Sequence, residues 1–390
     1  MGAMTSTPAP AGTTGTPAPT TRRIAALDTA RGIAILGTFG TNVWIFTEPH
    51  GMVGYLDTVG AESLPIRVLQ TFAQGKFLGL LSLMFGVGLA IQQASAARHD
   101  RPWPGRYWRR ALVLFLDGLV HFLLVAEFDV LMGYALVSFA VSAMLILRPR
   151  VRLRWAVGCA ALHLSVVALV SVGMVLSQSG MGTGPAAARA NPYADGSFWD
   201  LVVFRADHAL LFRVETIFMI PLTVAMFLTG AALFQGGLFA AEGAALRRRM
   251  MWIGGVAAPV DLAIGIAGAP LGLAGPAVFV GRYAVAPLVA LGLLALVAEF
   301  YQRRAVGRIG GALSNVGKTA LSCYVLQNVI ASVLCYGWGL GLAARYGAEH
   351  RLAFTVAVYV AVMACLLAVS ALWTRRFSRG PIEMLMHRAA

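Results

Sequence analysis

The chain has 390 residues, 58% of them hydrophobic and only 12% charged, with a formal net charge of +14. A soluble domain carries about 45–50% apolar and about 25% charged residues, so the composition excludes an ordinary soluble protein. The basic residues, all arginine except Lys76 and Lys318, fall in short clusters between apolar runs. That distribution sets membrane orientation rather than a nucleic-acid-binding face, and no nucleic-acid partner is expected.

Residues 1–21 are rich in Pro, Thr, Ala and Gly, with neither charge nor an apolar run. They read as a disordered cytoplasmic tail and lack the core of a signal peptide. Apolar runs of membrane-crossing length then recur at about 30–47, 74–93, 109–126, 128–147, 154–176, 213–236, 250–268, 277–299, 317–338 and 352–373. Arginine clusters mark every second connection: Arg98 to Arg110, Arg148 to Arg154, Arg247 to Arg249, Arg303 to Arg308 with Lys318, and Arg375 to Arg388. The alternate connections hold only scattered basic residues. This alternation satisfies the positive-inside rule if both ends are cytoplasmic and the number of spans is even. The expected fold is therefore an all-α, polytopic integral membrane helical bundle of about ten transmembrane helices. It divides into an N-terminal bundle, 22–236, and a C-terminal bundle, 237–390. The longest outer connection, 177–211, is expected to be a partly ordered loop or interfacial helix.

Cys159, Cys323, Cys335 and Cys365 all fall inside predicted spans and none is in CxxC spacing. Neither a disulfide framework nor a bound metal is expected. Patterns for phosphate-binding loops, zinc proteases and serine-hydrolase elbows are absent from the sequence.

Charges at bilayer depth are costly unless paired or hydrated, so each marks a candidate site. In the first span Asp28, Arg31, Thr38 and Asn42 lie on one helical stripe. Asp28 and Arg31 read either as a capping pair or as part of a site. In the third span Asp117 and His121, four residues apart, share a face, and Glu127 and Asp129 follow. A carboxylate beside an imidazole can fix its tautomer and raise its basicity. The alternative is a buried histidine bonded to a neighbouring helix. Tyr324, Gln327 and Asn328 share a face of the ninth span, and Asp261 and His163 sit within the seventh and fifth. Asn42, Lys76, His121, Asp129, Glu215 and Arg282 fall toward the outer side of the topology, as for a polar cavity opening outward or for unrelated ion pairs. His50 follows the first span.

Several stretches resemble the bacterial YeiB-like membrane family. They are Leu27 to Gly37 followed by Asn42, Gln74-Gly-Lys-Phe77 with Leu83 to Gly86, and Gly118-Leu-Val-His121 with Phe128-Asp-Val-Leu131 and Tyr134-Ala135. Gly317 to Gln327 and Arg379-Gly-Pro-Ile-Glu383 complete the set, so the resemblance runs over almost the whole chain. Phe128 stands where the family carries Gly, and Cys323 where it carries Asn. The family's N-terminal half is similar to heparan-α-glucosaminide N-acetyltransferase and other transmembrane acyltransferases.

The resemblance implies a multi-pass protein of a bacterial plasma membrane. It implies transfer of an acyl group from cytoplasmic acyl-CoA, the donor substrate, to an extracytoplasmic hydroxyl or amine. The acceptor would belong to an envelope glycan, a lipid or a small molecule. His121 would be base or acyl carrier, oriented by Asp117 or Asp129, with Asn42 as an oxyanion donor and His50 as the rival histidine. Lys76, Glu215, Arg282, Gln327, Asp28 and Arg31 would contact substrates. Membrane lipid is a partner, and a homodimer is expected by analogy. The alternatives are a transporter or exporter of a small polar solute, consistent with Pro221, Pro259 and Pro287 within spans, and a non-catalytic lipid-binding scaffold.

Overall fold

A computed structural model describes residues 19–58, 62–177 and 191–388. Most of the predicted tail, and Arg189 in the long connection, lie outside the described residues. Lipid offers no partner for backbone amides, so each apolar run closes its hydrogen bonds internally as a helix. Among the described residues the secondary structure is helical, with no strand.

In chain order the helices are α1 (Pro19–Phe46), α2 (Gly51–Thr58), α3 (Leu64–Ala73), α4 (Lys76–Arg98), α5 (Tyr107–Leu124) and α6 (Leu131–Met144). Then come α7 (Pro149–Ser177), α8 (Phe198–Asp207), α9 (Ala209–Gln235), α10 (Ala244–Ala267), α11 (Ala274–Val280) and α12 (Ala286–Arg303). The last are α13 (Arg308–Lys318), α14 (Ala320–Cys335), α15 (Leu342–Tyr346), α16 (Arg351–Thr374) and α17 (Pro381–Arg388). Eight of the ten predicted spans fall largely on one helix each, and the eighth and ninth fall on broken helices. By length and apolarity alone, six stretches among the described residues can cross a membrane: Leu64–Arg98, Pro149–Ser177, Ala209–Gln235, Ala241–Ala267, Ala274–Arg303 and Arg351–Thr374. A seventh is added if α13 and α14, bent by 87° at Thr319, count as one. The first span begins at Pro19, well ahead of the expected residue 30. The expected eighth span is α11 and α12 joined by a π-helical stretch, Gly281–Val285.

The chain is an integral membrane helical bundle, and its surface shows it. α7 turns Leu162, Leu164, Leu169, Val172 and Leu176 outward, and α9 likewise exposes Leu210, Leu211, Val214 and Ile217. Such faces suit hydrocarbon rather than water. Buried positions combine small and aromatic residues with leucines such as Leu80, Leu83 and Leu131. α1 is the central element, packed against α3, α4, α12, α13, α14 and α16.

With lipid as apolar as leucine, helices associate through close backbone approach at small residues. The α4–α9 pair shows this reciprocally. A Cβ at Gly86 would strike the Phe227 carbonyl, and one at Gly230 would strike the Leu83 carbonyl. α1 and α13 do the same through Gly32 against the Leu313 carbonyl and Gly317 against the Asp28 carbonyl. Gly75 has φ 73° and stands hard against the Arg282 carbonyl, so it can end α3 and start α4 where another residue would be strained and crowded. That break brings Gln74 and Lys76 into the protein interior.

Gly86→Ala is expected to lower thermal stability in detergent by roughly 2 kcal/mol or more, because backbone must move. Gly88→Ala on the same helix, where an added Cβ meets nothing within 4 Å, is expected to be neutral or stabilising. Parallel melting curves of the two variants check the packing directly.

Candidate active site

The densest polar arrangement in the interior is built on the C-terminal half of α5, the turn that follows it, and α14. His121 is 1% exposed, near the end of α5. Its Nδ1 lies 3.0 Å from Asp129 Oδ1, and its Nε2 lies 3.0 Å from Asn328 Nδ2. Asn328 Oδ1 in turn faces Asn42 Nδ2 at 3.5 Å. The second carboxylate oxygen of Asp129 accepts the Met132 backbone N–H at 3.1 Å.

Donors and acceptors are consistent along this chain in one direction. Asn42 donates to Asn328, Asn328 donates to His121 Nε2, and His121 Nδ1–H donates to Asp129. The imidazole is thereby held as the Nδ1–H tautomer with its basic lone pair on Nε2. The Tyr324 ring lies beside it, centroid to centroid 5.2 Å.

Local sequence explains how Asp129 reaches the histidine. Gly118 sits one turn before His121, and a Cβ there would press on Asp129 Oδ2 at 2.9 Å and on Met132 N at 2.7 Å. Without a side chain at 118, the turn folds back onto α5. That turn is non-helical backbone inside a membrane protein, tolerated only where protein satisfies it. Two arginines do so. Arg205 donates to the Leu123 carbonyl at 3.2 Å and the Val125 carbonyl at 3.0 Å, and pairs through Nε with Glu127 Oε2 at 3.1 Å. Arg213 donates to the carbonyls of Glu127 and Asp129, and its guanidinium stacks on the Phe122 ring, 4.1 Å from the centroid. Tyr193 donates its hydroxyl to Glu127 Oε1 at 2.9 Å. Arg205, Glu127 and Asp129 are each 1% exposed.

The buried charges balance: Arg205 against Glu127, and Arg213 beside Asp129. Arg213 also lies within electrostatic reach of Glu215. Glu215 accepts from Arg282 at 2.6 Å and from the Tyr283 hydroxyl at 2.8 Å. Gln74 donates to the Tyr55 hydroxyl at 2.9 Å, and Tyr55 lies within electrostatic reach of Arg282 and Glu215. The histidine cluster and the Glu215–Arg282 cluster are therefore neighbours.

The structure distributes the sequence candidates as follows. Asp129, rather than Asp117, holds the imidazole. Asp117 points its Oδ2 into the interior without a partner among the described residues. Asn42 is present but bonds Asn328, one step removed from His121. His50 is exposed, its side chain 48% accessible, with Nδ1 3.9 Å from Glu48 and no bond to the histidine network among the described residues. Lys76 pairs with Asp261 and donates to the Thr71 carbonyl, so its charge is engaged within the protein. Asp28 and Arg31 form their pair at 3.4 Å, near the start of the bundle and away from His121 in the chain of bonds. Gln327 is fully buried, and neither of its amide atoms has a partner among the described residues. His163 bonds the Tyr283 carbonyl at 3.1 Å.

Sequence reasoning did not find Asn328, Arg205, Arg213 or Tyr193 as members of the site. Asn328 was visible only as part of a polar stripe with Tyr324 and Gln327. Arg205 stood in an outer connection, where a basic residue needs no special explanation, and Arg213 at the first position of an expected span, where it reads as an end anchor.

A chain with several apolar spans and a paired polar interior is a polytopic helical membrane protein. Residues 233–390 match the family model described as "Protein of unknown function (DUF418)". The chain is 28% identical to the uncharacterized protein YxaH of Bacillus subtilis (strain 168), with 94% of each chain covered. It is 27% identical to the uncharacterized protein YeiB of Escherichia coli (strain K12), covering 93% of this chain and 95% of that one. No solved structure matches the chain. The chain is thus similar over nearly its whole length to YeiB-like bacterial proteins, as its motifs indicated.

Removing one member of a buried ion pair strands the other, at a cost of about 3–5 kcal/mol. Arg205→Met and Glu127→Gln are each expected to destabilise the protein by about that amount, and the double variant by less than their sum. Unfolding measured by denaturant titration in detergent checks this coupling.

Proposed function

We propose that the protein is a transmembrane acyltransferase of the bacterial plasma membrane, with both termini in the cytoplasm. It moves an acyl group from cytoplasmic acyl-CoA to a hydroxyl or amine on the far side. The observation that carries the reading is His121 held between Asp129 and Asn328, deep in an apolar bundle. The motif resemblance to transmembrane acyltransferases supplies the reaction class.

Asp129 holds Nδ1–H and stabilises the imidazolium that forms when Nε2 takes a proton. As general base, Nε2 removes the proton from the acceptor hydroxyl or amine while that atom attacks the thioester carbonyl. The carbon–sulfur bond breaks, and the same proton passes to the departing thiolate. The Asn328 amide, on Nε2 at rest, yields its place to the acceptor. Its N–H, with that of Asn42, is then free to stabilise the developing oxyanion. Arg213 offsets the Asp129 charge, so the site needs no external counter-ion. Glu215 and Arg282, adjacent through Arg213, would orient a polar acceptor.

A second reading, export of a small polar solute, draws support from the broken helices: the Gln74–Gly75 break, the π-helical Gly281–Val285 and the 87° bend at Thr319. Discontinuous helices are the usual ligand sites of transporters.

The purified protein, incubated with radiolabelled acetyl-CoA and candidate acceptors, is expected to transfer label. His121→Ala is expected to abolish transfer, and Asp129→Asn to slow it by about 100-fold or more. His50→Ala is expected to retain it. Transfer unaffected by His121→Ala, in a protein that still folds, would sink the proposal. Solute-dependent flux in vesicles without any transfer would favour export.

A further inference from the structure

Gln327 is an anomaly in this interior. Its side-chain oxygen and nitrogen are both buried, and neither has a partner among the described residues. Asp117 Oδ2 is likewise buried and unpartnered among them. Each such group costs about 1–3 kcal/mol, more for a charged one. Other buried polar atoms also lack a partner among the described residues, but Gln327 is the side chain there with both amide atoms unpartnered. Gln327 directly precedes Asn328, the His121 partner, and Asp117 lies one helical turn before His121. Both are on the side of the histidine that faces the arginine-rich end of the bundle.

Between that end and the histidine the polar groups are graded. Asp117 lies within electrostatic reach of His121, Asp129 and Glu383. On α14, Cys323 stands one turn before Gln327 and within electrostatic reach of Glu383. Glu383 bonds the Leu321 N–H at 2.6 Å and Ser322 Oγ at 2.6 Å, holding α17 against the start of α14. Around this mouth stand Arg31, within reach of Arg110 and Glu383, and Lys318, within reach of Asp28. From Arg110 to Asp117 along α5 is about 10 Å, and to His121 about 16 Å, at 1.5 Å per residue.

We infer that Asp117 and Gln327 form the deep end of a binding site entered from the arginine-rich face, shaped for a neutral, amide-bearing arm with an anionic head. The free amide of Gln327 offers one donor and one acceptor set, matched by an amide. The carboxylates of Asp117 and Asp129 disfavour an anion at depth, while Arg31, Arg110 and Lys318 outweigh Glu383 and favour one at the mouth. A reactive group on such an arm would arrive at His121 about 16 Å from the anionic head. Acyl-CoA has this layout, so the inference rests on the acyltransferase reading and assigns its donor site.

The test separates the two. CoA and pantetheine, which lacks the phosphates, are titrated onto the purified protein by calorimetry. Gln327→Leu is expected to melt at a higher temperature than the parent, because it removes an unsatisfied amide, and to bind both ligands at least 10-fold more weakly. Arg31→Ala with Arg110→Ala is expected to weaken CoA while leaving pantetheine unchanged. A Gln327→Leu protein that binds CoA as the parent does overturns the inference and leaves the acyltransferase reading standing.

If CoA binds no variant, the donor in that reading falls, and a second measurement judges the pocket. Gln327→Cys, with the four native cysteines replaced, is treated with a small impermeant thiosulfonate in inverted and right-side-out vesicles. Modification from the cytoplasmic face alone upholds the pocket. Modification from neither face, or only from outside, overturns it.

Discussion

The turn between α5 and α6 is the constraint on which the interior depends. It places bare carbonyls and a carboxylate within a medium that can solvate neither. Arg205 on α8 and Arg213 on α9 supply donors to four backbone carbonyls in the last turn of α5 and the turn after it, and counter-charge to Glu127 and Asp129. A guanidinium suits this task because it offers five donors in a fixed plane and keeps its charge. Once the turn is fixed, Asp129 can meet His121 at hydrogen-bond distance, and the imidazole has a single tautomer. The segment before α9 is thus a structural part of the site: Tyr193 bonds Glu127, and its own carbonyl accepts the Gly337 N–H at 2.7 Å.

Close helix packing makes this geometry possible. α1 sits in the centre, and its glycines and those of α13 bring backbones into contact. That contact carries Asn42 and Asn328, which are 286 residues apart, to within 3.5 Å. α5 and α14 meet where Gly118 leaves room on one side and the polar stripe of α14 faces the other. A side chain at 118 would press on Asp129, Leu131 and Met132 and force the turn away from the histidine.

The polar groups then fall into two kinds. Lys76 with Asp261, Arg205 with Glu127, and Arg351 with Glu48 and Glu62 are pairs whose charges are matched within the protein. Such pairs hold helices in register without needing a ligand. His121, Asn328, Gln327 and Asp117 are different, because a free lone pair or an unmatched amide remains among them. Lys76 looked like a substrate contact in the sequence because an intramembrane lysine is rare, yet its charge is neutralised by an aspartate on α10.

The sequence by itself determined the class of the protein, because apolar runs and alternating arginine clusters act through local length and composition. A run of about 20 apolar residues must be a helix wherever lipid surrounds it. It also singled out His121 and Asp129, whose separation of eight residues is bridged by a single turn. Which carboxylate holds the histidine was open, because a spacing of four on α5 favoured Asp117 while only the folded turn, admitted by Gly118, brings Asp129 to Nδ1. Asn328 and the two arginines were settled by tertiary structure alone. Their partners lie 78 to 207 positions away in the chain, and no local periodicity encodes which faces of two distant helices will meet.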